Sequence, residues 1–302
     1  MMRTFAIAVD SSCDLPEQYI KDNNIDIIPM LFSLDDTDHP GGSFQDISAK
    51  DFYSALKAGG VAKTTQINPG DYVEFFTKYA ERGTDIICLI LSGQLSGSYE
   101  NAVGAAREVS EKYPERTIVP IDSLTATAGH GLLTMLAVEK GEEGLSAAET
   151  AEWINQKKDY LFSFFTVDDL KFLHRGGRLS RFSAVAGSLL SVKPLLNVSP
   201  EGSLKLKDKV RGRKTALDTL VSHIRRCVAD GAELDTVTIS HCDCEADATK
   251  LAESIKSAFA AKRVVLTPMG PVIGAHTGPG AIAVFIVGEI NRAEYEKKYY
   301  PE

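Results

Sequence analysis

Four short segments concentrate hydroxyl groups with a spacing suited to chemistry: DSSCD (10–14), KTTQINPG (63–70), SGQLSGS (92–98) and DSLTAT (122–127). Serine and threonine are neutral donors. Where they stand at the start of a helix, the free amides of its first turn add a positive potential. Together these groups suit the holding of an anion without a fixed countercharge. His276, in GAHTGPG (274–280), adds an imidazole among Gly274, Gly278 and Gly280, which let backbone come close to a guest. We read it as a polar relay at the anion. His130, inside an apolar helical run, reads as a core residue, and His174 and His241 have no stronger claim.

The motifs narrow the anion. G-x-x-x-x-G-K-[ST] is absent and no G-x-G-x-x-G follows the first strand, which argues against a nucleotide triphosphate. Gly93, Gln94, Leu95, Ser96 and Gly97 spell G-x-x-S-G rather than the G-x-S-x-G elbow of hydrolases. A lipid-directed serine hydrolase using Ser96 and His276 nevertheless stays open, as does helix capping by the same serines. The shared composition of several loops favours one common site. No metal or cofactor is expected: His241, Cys242 and Cys244 crowd into four residues, with no second pair to complete a tetrahedron.

These loops need a scaffold that gathers them. Runs rich in β-branched residues at 5–9, 25–32, 85–91 and 117–122 are separated mostly by helical patterns, which predicts a parallel sheet with helices on its faces. In such a sheet the loops after the strands line one edge, the usual ligand crevice. A helix is expected after Ser48, with Asp51 three residues on, and another after Pro69-Gly70. The first domain is placed at 1–160. In the second, 161–302, a strand LFSFFTVDD, a helical region from 169 to about 193, a hairpin around Pro200, Glu201 and Gly202, and alternating helices and strands predict a mixed sheet. The fold class is α/β in two domains with a cleft between them.

Two stretches, 124–138 and 182–192, carry no charge over several helical turns and are rich in small residues. Helices uncharged all round are buried on most sides. Small side chains allow close packing and also leave room for a long thin guest; Ala184, Gly187 and Leu190 are the candidates to line such a tunnel.

The chain is 302 residues long, 44% hydrophobic and 25% charged, with a formal net charge of −8. That field repels nucleic acid and anionic lipid at long range. No apolar run reaches the ~20 residues of a membrane helix, and the start MMRTFAIAVD meets an aspartate where a signal peptide would continue apolar. With five cysteines, an odd number, a reducing compartment is expected, and we place the protein in the cytoplasm.

DSSCDLP, TTQINPGDY, LSGQLSGSYENA, FTVDDLKFLHRGGRLS, KPLL and GAHTGPGA, in that order, resemble the DegV family of bacterial fatty acid-binding proteins along nearly the whole length. The resemblance implies a two-domain DegV-like α/β fold that encloses one long-chain fatty acid between the domains and performs no chemistry alone. It also implies, as for some members, a role as the substrate-carrying subunit of a fatty acid kinase in phospholipid metabolism. A separate ATP-dependent subunit would then phosphorylate the carboxylate. Carried over by motif, Thr64, Thr65 and Ser96 would hold the carboxylate and His276 would lie close to it. Where many relatives have two serines, this chain has Ser92 then Gly93, so Ser92 alone remains a candidate there. Burying the acyl methylenes at ~0.8 kcal/mol each would supply the affinity.

Two basic clusters stand out on this acidic chain: LKLKDKVRGRK (204–214), and HRGGRLSR with Arg175, Arg178 and Arg181. Alternation predicts that Lys205, Lys207 and Lys209 share one face of a strand. Arg175, Arg178 and Arg211 are the candidates for docking an acidic partner, here the kinase subunit, against the plain reading of a solvated surface. With few aromatics and no matching motif, the region does not suit nucleic acid.

Overall fold

A computed structural model describes residues 3–40, 42, 44, 47–179 and 192–301. The chain is α/β. β1 (Ala6–Asp10) is followed by α1 (Glu17–Asp22) and β2 (Ile25–Ile28). The apolar stretch 25–32, expected as one strand, is divided: after β2 it passes Pro29, which has no N–H to offer a ladder, and resumes as β3 (Phe32–Leu34) in a different sheet. β3 pairs antiparallel with β4 (Thr37–His39). After α2 (Ala49–Lys57) it also pairs with β5 (Ala62–Thr64). Thus the KTT segment, read as a loop, is half strand.

α3 (Pro69–Glu81), β6 (Ile86–Ile90), α4 (Ser98–Lys112) and β7 (Ile118–Asp122) follow. β2, β1, β6 and β7 form, in that order, an all-parallel sheet. Both anticipated helix starts carry caps: Ser48 accepts from the Asp51 amide at 3.1 Å, and Asn68 accepts from the Asp71 amide at 3.0 Å.

Next come α5 (Thr127–Glu142), α6 (Ala147–Lys157), β8 (Leu161–Thr166) and α7 (Lys171–Arg175). Of the helical region expected from 169 to about 193, the described residues hold one short helix, closed by Gly176 and Gly177, the latter at φ 73°, and 180–191 lie outside the described residues. β9 (Val192–Val198) and β10 (Leu204–Arg211) form the expected hairpin, and α8 (Arg213–Arg225), β11 (Thr236–His241), α9 (Glu245–Phe259), β12 (Arg263–Pro268), α10 (Pro271–Thr277), β13 (Ile282–Val287) and α11 (Arg292–Tyr299) complete the chain. The second large sheet has the order β10-β9-β8-β13-β11-β12; only β11 and β12 run parallel, so it is mixed, as expected. The last strand therefore lies in its interior, between β8 and β11.

α5 joins the two large sheets. It packs on β1 and β6 of the parallel sheet and on β8, β11 and β13 of the mixed one. Its residues from Thr127 to Met135 are all buried, which is why its sequence has no polar stripe. The small residues are needed there: a Cβ on Gly131 would stand 2.7 Å from the Cys13 carbonyl oxygen, and one on Gly129 would stand 2.4 Å from Cδ1 of Phe285.

The hairpin tip is tied to the loops of the parallel sheet. Ser92 Oγ donates to the Gly202 carbonyl at 2.9 Å, and the buried Arg292 guanidinium donates to the carbonyls of Leu124 and Ser199 at 3.1 and 3.2 Å. Gly202 has φ 91°, and a Cβ there would meet Ser92 Oγ at 2.2 Å. The expected lysine face of β10 does not form. Its register with β9 slips between Leu206 and Asp208, leaving Lys207 as the bulged residue, so Lys205 and Lys209 point to opposite faces. Lys207 itself pairs with Glu296 and lies 4.5 Å over the Tyr300 ring.

Candidate functional site

A cavity of about 730 Å³, its mouth included, is lined by residues from Met30 to Phe285. Most of the wall is apolar: Leu91 after β6, Phe165 on β8, Val198 and Leu204 on the hairpin, Met269 and Val272 around the start of α10, Ala283 and Phe285 on β13. Thr127 and Thr277 also line it, but their hydroxyls are engaged, with Asp14 Oδ2 at 2.5 Å and with the Ile273 carbonyl at 3.0 Å.

The remaining polar lining is one contiguous group. Thr64, the last residue of β5, meets His276 of α10, its Oγ1 2.8 Å from Nε2. Ser96, in the turn before α4, shares a 3.0 Å hydrogen bond with Ser98 Oγ at the first position of that helix. Gln66 comes against that turn, and Gly97 makes room for it, since a Cβ there would meet Gln66 Oε1 at 2.3 Å. Arg178 closes the group, its Nε donating to the Leu95 carbonyl at 3.0 Å and its Nη1 to that of Gly176 at 2.6 Å. The glycines of the turn thus have separate uses: Gly97 seats Gln66, whereas the Gly93 amide donates to Asp122 Oδ1 at 3.2 Å.

His276 is neutral at physiological pH. Burial, and then the charges of Arg178 and Arg175, push its pKa down to about 4. Its Nδ1 is buried with no hydrogen-bond partner among the described residues, facing Gly176, where a Cβ would come within 2.2 Å. Two nearby arginines favour a lone pair over an N–H on that nitrogen. In the tautomer with its proton on Nε2, the ring donates to Thr64, whose own hydroxyl hydrogen is left to point at a guest. Around this group stand a threonine and a serine hydroxyl, a carboxamide, a pinned guanidinium and the amino end of a 15-residue helix. All of them favour an anion.

The sequence candidates divide accordingly. Thr64, Ser96 and His276 line the cavity. Thr65, next in line, is exposed and its amide bonds to the Leu31 carbonyl at 3.0 Å. Ser92 is fully buried with its hydroxyl committed to the hairpin tip. Ala184, Gly187 and Leu190 lie outside the described residues. Arg175 and Arg211 are exposed, Arg175 over the Phe172 ring at 5.1 Å, while Arg178, also read as a docking residue, is half-buried and lines the cavity. Sequence reasoning passed over Gln66, although it completes the TTQ triplet, and the aromatic wall of Phe165 and Phe285. His276 sits at the end of a helix rather than in a loop. Ser96 and His276 are not hydrogen-bonded to each other: Nε2 is engaged with Thr64 and Ser96 Oγ with Ser98. Among the described residues no helix is long and apolar enough to cross a membrane.

Three comparisons bear on this site. A family model described as "Uncharacterised protein, DegV family" matches residues 4–289. A DegV domain-containing protein of Clostridium perfringens is 37% identical over 288 residues, covering 95% of this chain and 99% of its own. A Thermotoga maritima protein named as a fatty acid-binding protein is 30% identical over 281 residues, 91% of this chain and 95% of that one. Among solved structures, a DegV lipid-binding protein of Thermotoga maritima superposes with a TM-score of 0.84 at 28% identity, over 95% of this chain and 99% of that one. A DegV family protein from Thermus thermophilus described by its fatty acid binding gives 0.85 at 26% identity, over 95% and 100%.

Proposed function

Since the chain belongs to the DegV family, we propose that it binds a single long-chain fatty acid between its two halves and presents the carboxylate to a fatty acid kinase subunit for acyl-phosphate formation. The observation that supports this most is the polarity of the cavity: an apolar wall that ends in one cluster of donors, Thr64, Ser96, Gln66 and Arg178, beside a neutral His276. A tail of more than a dozen methylenes, at ~0.8 kcal/mol each, gives a gross term on the order of 10 kcal/mol before ordering costs. The carboxylate loses water on entering and needs several donors in exchange. Thr64 and Ser96 donate to it, and Arg178, held by two backbone carbonyls, balances its charge from the side.

Neutral donors also leave carboxylate oxygens nucleophilic toward a phosphoryl group delivered by the partner. Arg175 and Arg211, both exposed, are the cations available to steer an acidic partner on a chain of net charge −8. The setting is the cytoplasm, where ATP is at hand. Native mass spectrometry of the purified protein, with solvent extraction of what it carries, tests the binding step: one fatty acid per chain is expected, and a ligand-stripped sample should take up palmitate or oleate with a rise in melting temperature. The absence of both uptake and a rise would overturn it. Incubation with ATP alone should yield no acyl phosphate, and addition of a kinase subunit should. A serine hydrolase would require Ser96 within reach of His276, and it would be trapped by a fluorophosphonate; the carrier should stay unlabelled.

A further inference from the structure

Among the described residues the cavity wall stops at one level of the mixed sheet. β13 leads away from the His276 end, and of its residues Ala283 and then Phe285 line the cavity. On the paired strand, Phe165, opposite Ala283, lines it, whereas Ser163, opposite Phe285, does not. On α5 the lining likewise ends at Thr127, two residues before Gly129, where the helix passes behind Phe285.

The Phe285 ring has no room to withdraw. It lies directly on the α5 backbone at Gly129, where an added Cβ would stand 2.4 Å from Cδ1, 2.8 Å from Cε1 and 2.6 Å from Thr125 Oγ1. Next to it Thr125 Oγ1 and Ser163 Oγ are hydrogen-bonded to each other at 2.8 Å, a buried hydroxyl pair that offers an acyl chain no apolar continuation. We infer that Phe285, seated on Gly129 and backed by the Thr125–Ser163 pair, is the stop that sets how long an acyl chain this cavity accepts; this rests on the fatty acid reading given above.

Gly129 and Phe285 give changes of opposite sign. Phe285→Leu takes away the far edge of the ring and lengthens the cavity; Gly129→Ala lifts the ring off the helix and into it. Each methylene that gains or loses cover changes affinity about fourfold. The test loads stripped protein with an equimolar mixture of saturated acids from dodecanoic to icosanoic and reads the bound distribution by native mass spectrometry, after each variant has been shown to melt cooperatively. The optimum should move to longer acids in Phe285→Leu and to shorter ones in Gly129→Ala, by about fourfold in the ratio of neighbouring lengths for each methylene shifted. If Gly129→Ala does not fold, Phe285→Leu and Phe285→Met decide together. An optimum that stays in place in the folded variants overturns the stop while leaving the fatty acid reading intact; a wild type that takes up no acid of any length overturns both.

Discussion

Replacing Thr64 by valine removes one hydroxyl while keeping the branched shape that ends β5. Two things change at that spot. The carboxylate loses a donor, and Nε2 of His276, whose Nδ1 already has no partner among the described residues, loses the Thr64 hydrogen bond. A hydrogen bond to a charged group is worth about 1.5–3 kcal/mol, so palmitate should bind roughly tenfold to a hundredfold more weakly. The tail remains in the same apolar wall, so hexadecanol, which has the tail without the charge, should weaken by less than about threefold. Displacement of a fluorescent fatty acid from wild type and Thr64→Val by both compounds measures the difference directly. Equal losses for acid and alcohol would mean that Thr64 only shapes the cavity, and no loss for either would place the carboxylate elsewhere; either result refutes the assignment.

Ser92→Ala should act on stability instead: its hydroxyl serves the Gly202 carbonyl, so a loss of about 1–2 kcal/mol in urea unfolding is expected with palmitate affinity unchanged. Gly202→Ala should cost more, roughly 1–3 kcal/mol, because the new Cβ at φ 91° collides with Ser92 Oγ, and the melting temperature should fall accordingly. Asp14 is buried with its pKa raised from 3.8 to about 7, mainly by desolvation, so its contribution to stability declines as pH climbs through that interval. Asp14→Asn, at a residue whose φ of 46° suits asparagine, should therefore gain melting temperature relative to wild type at pH ~8 more than at pH ~5. His276 has the opposite sign. Its pKa, lowered from 6.5 to about 4, means that the unfolded chain binds a proton first, so stability falls as pH drops through that window, and His276→Asn should flatten the acid side of a melting-temperature profile.

The parts that could be read from residues are those whose signal is local. The apolar runs Ile7–Val9 of β1 and Ile86–Ile90 of β6 are buried at every residue, and Ser48, Asn68 and Gly202 mark caps and a turn by their own chemistry. Thr64, Ser96 and His276 stood out because hydroxyls and an imidazole among glycines are unusual in a core. What depends on distant partners was not visible. The run 25–32 looks continuous until Pro29 is given its place between two sheets, and the lysines of β10 alternate in sequence but not in space because of one bulged residue. Arg178 could be identified as a charge, whereas the Leu95 and Gly176 carbonyls that turn it toward the cavity are a matter of tertiary structure. The aromatic wall is hidden for the same reason: Phe165 and Phe285 look like any other core strand residues.

Because β13 is threaded between β8 and β11, the larger sheet is complete only once that strand, made after all its neighbours, has been synthesised. Until then β8 and β11 have no neighbour on that side, and the nascent chain shows open strand edges to chaperones or to other copies of itself. A stop codon even a short way upstream of Ile282 would yield a protein without a compartment at all, rather than one with a shortened compartment.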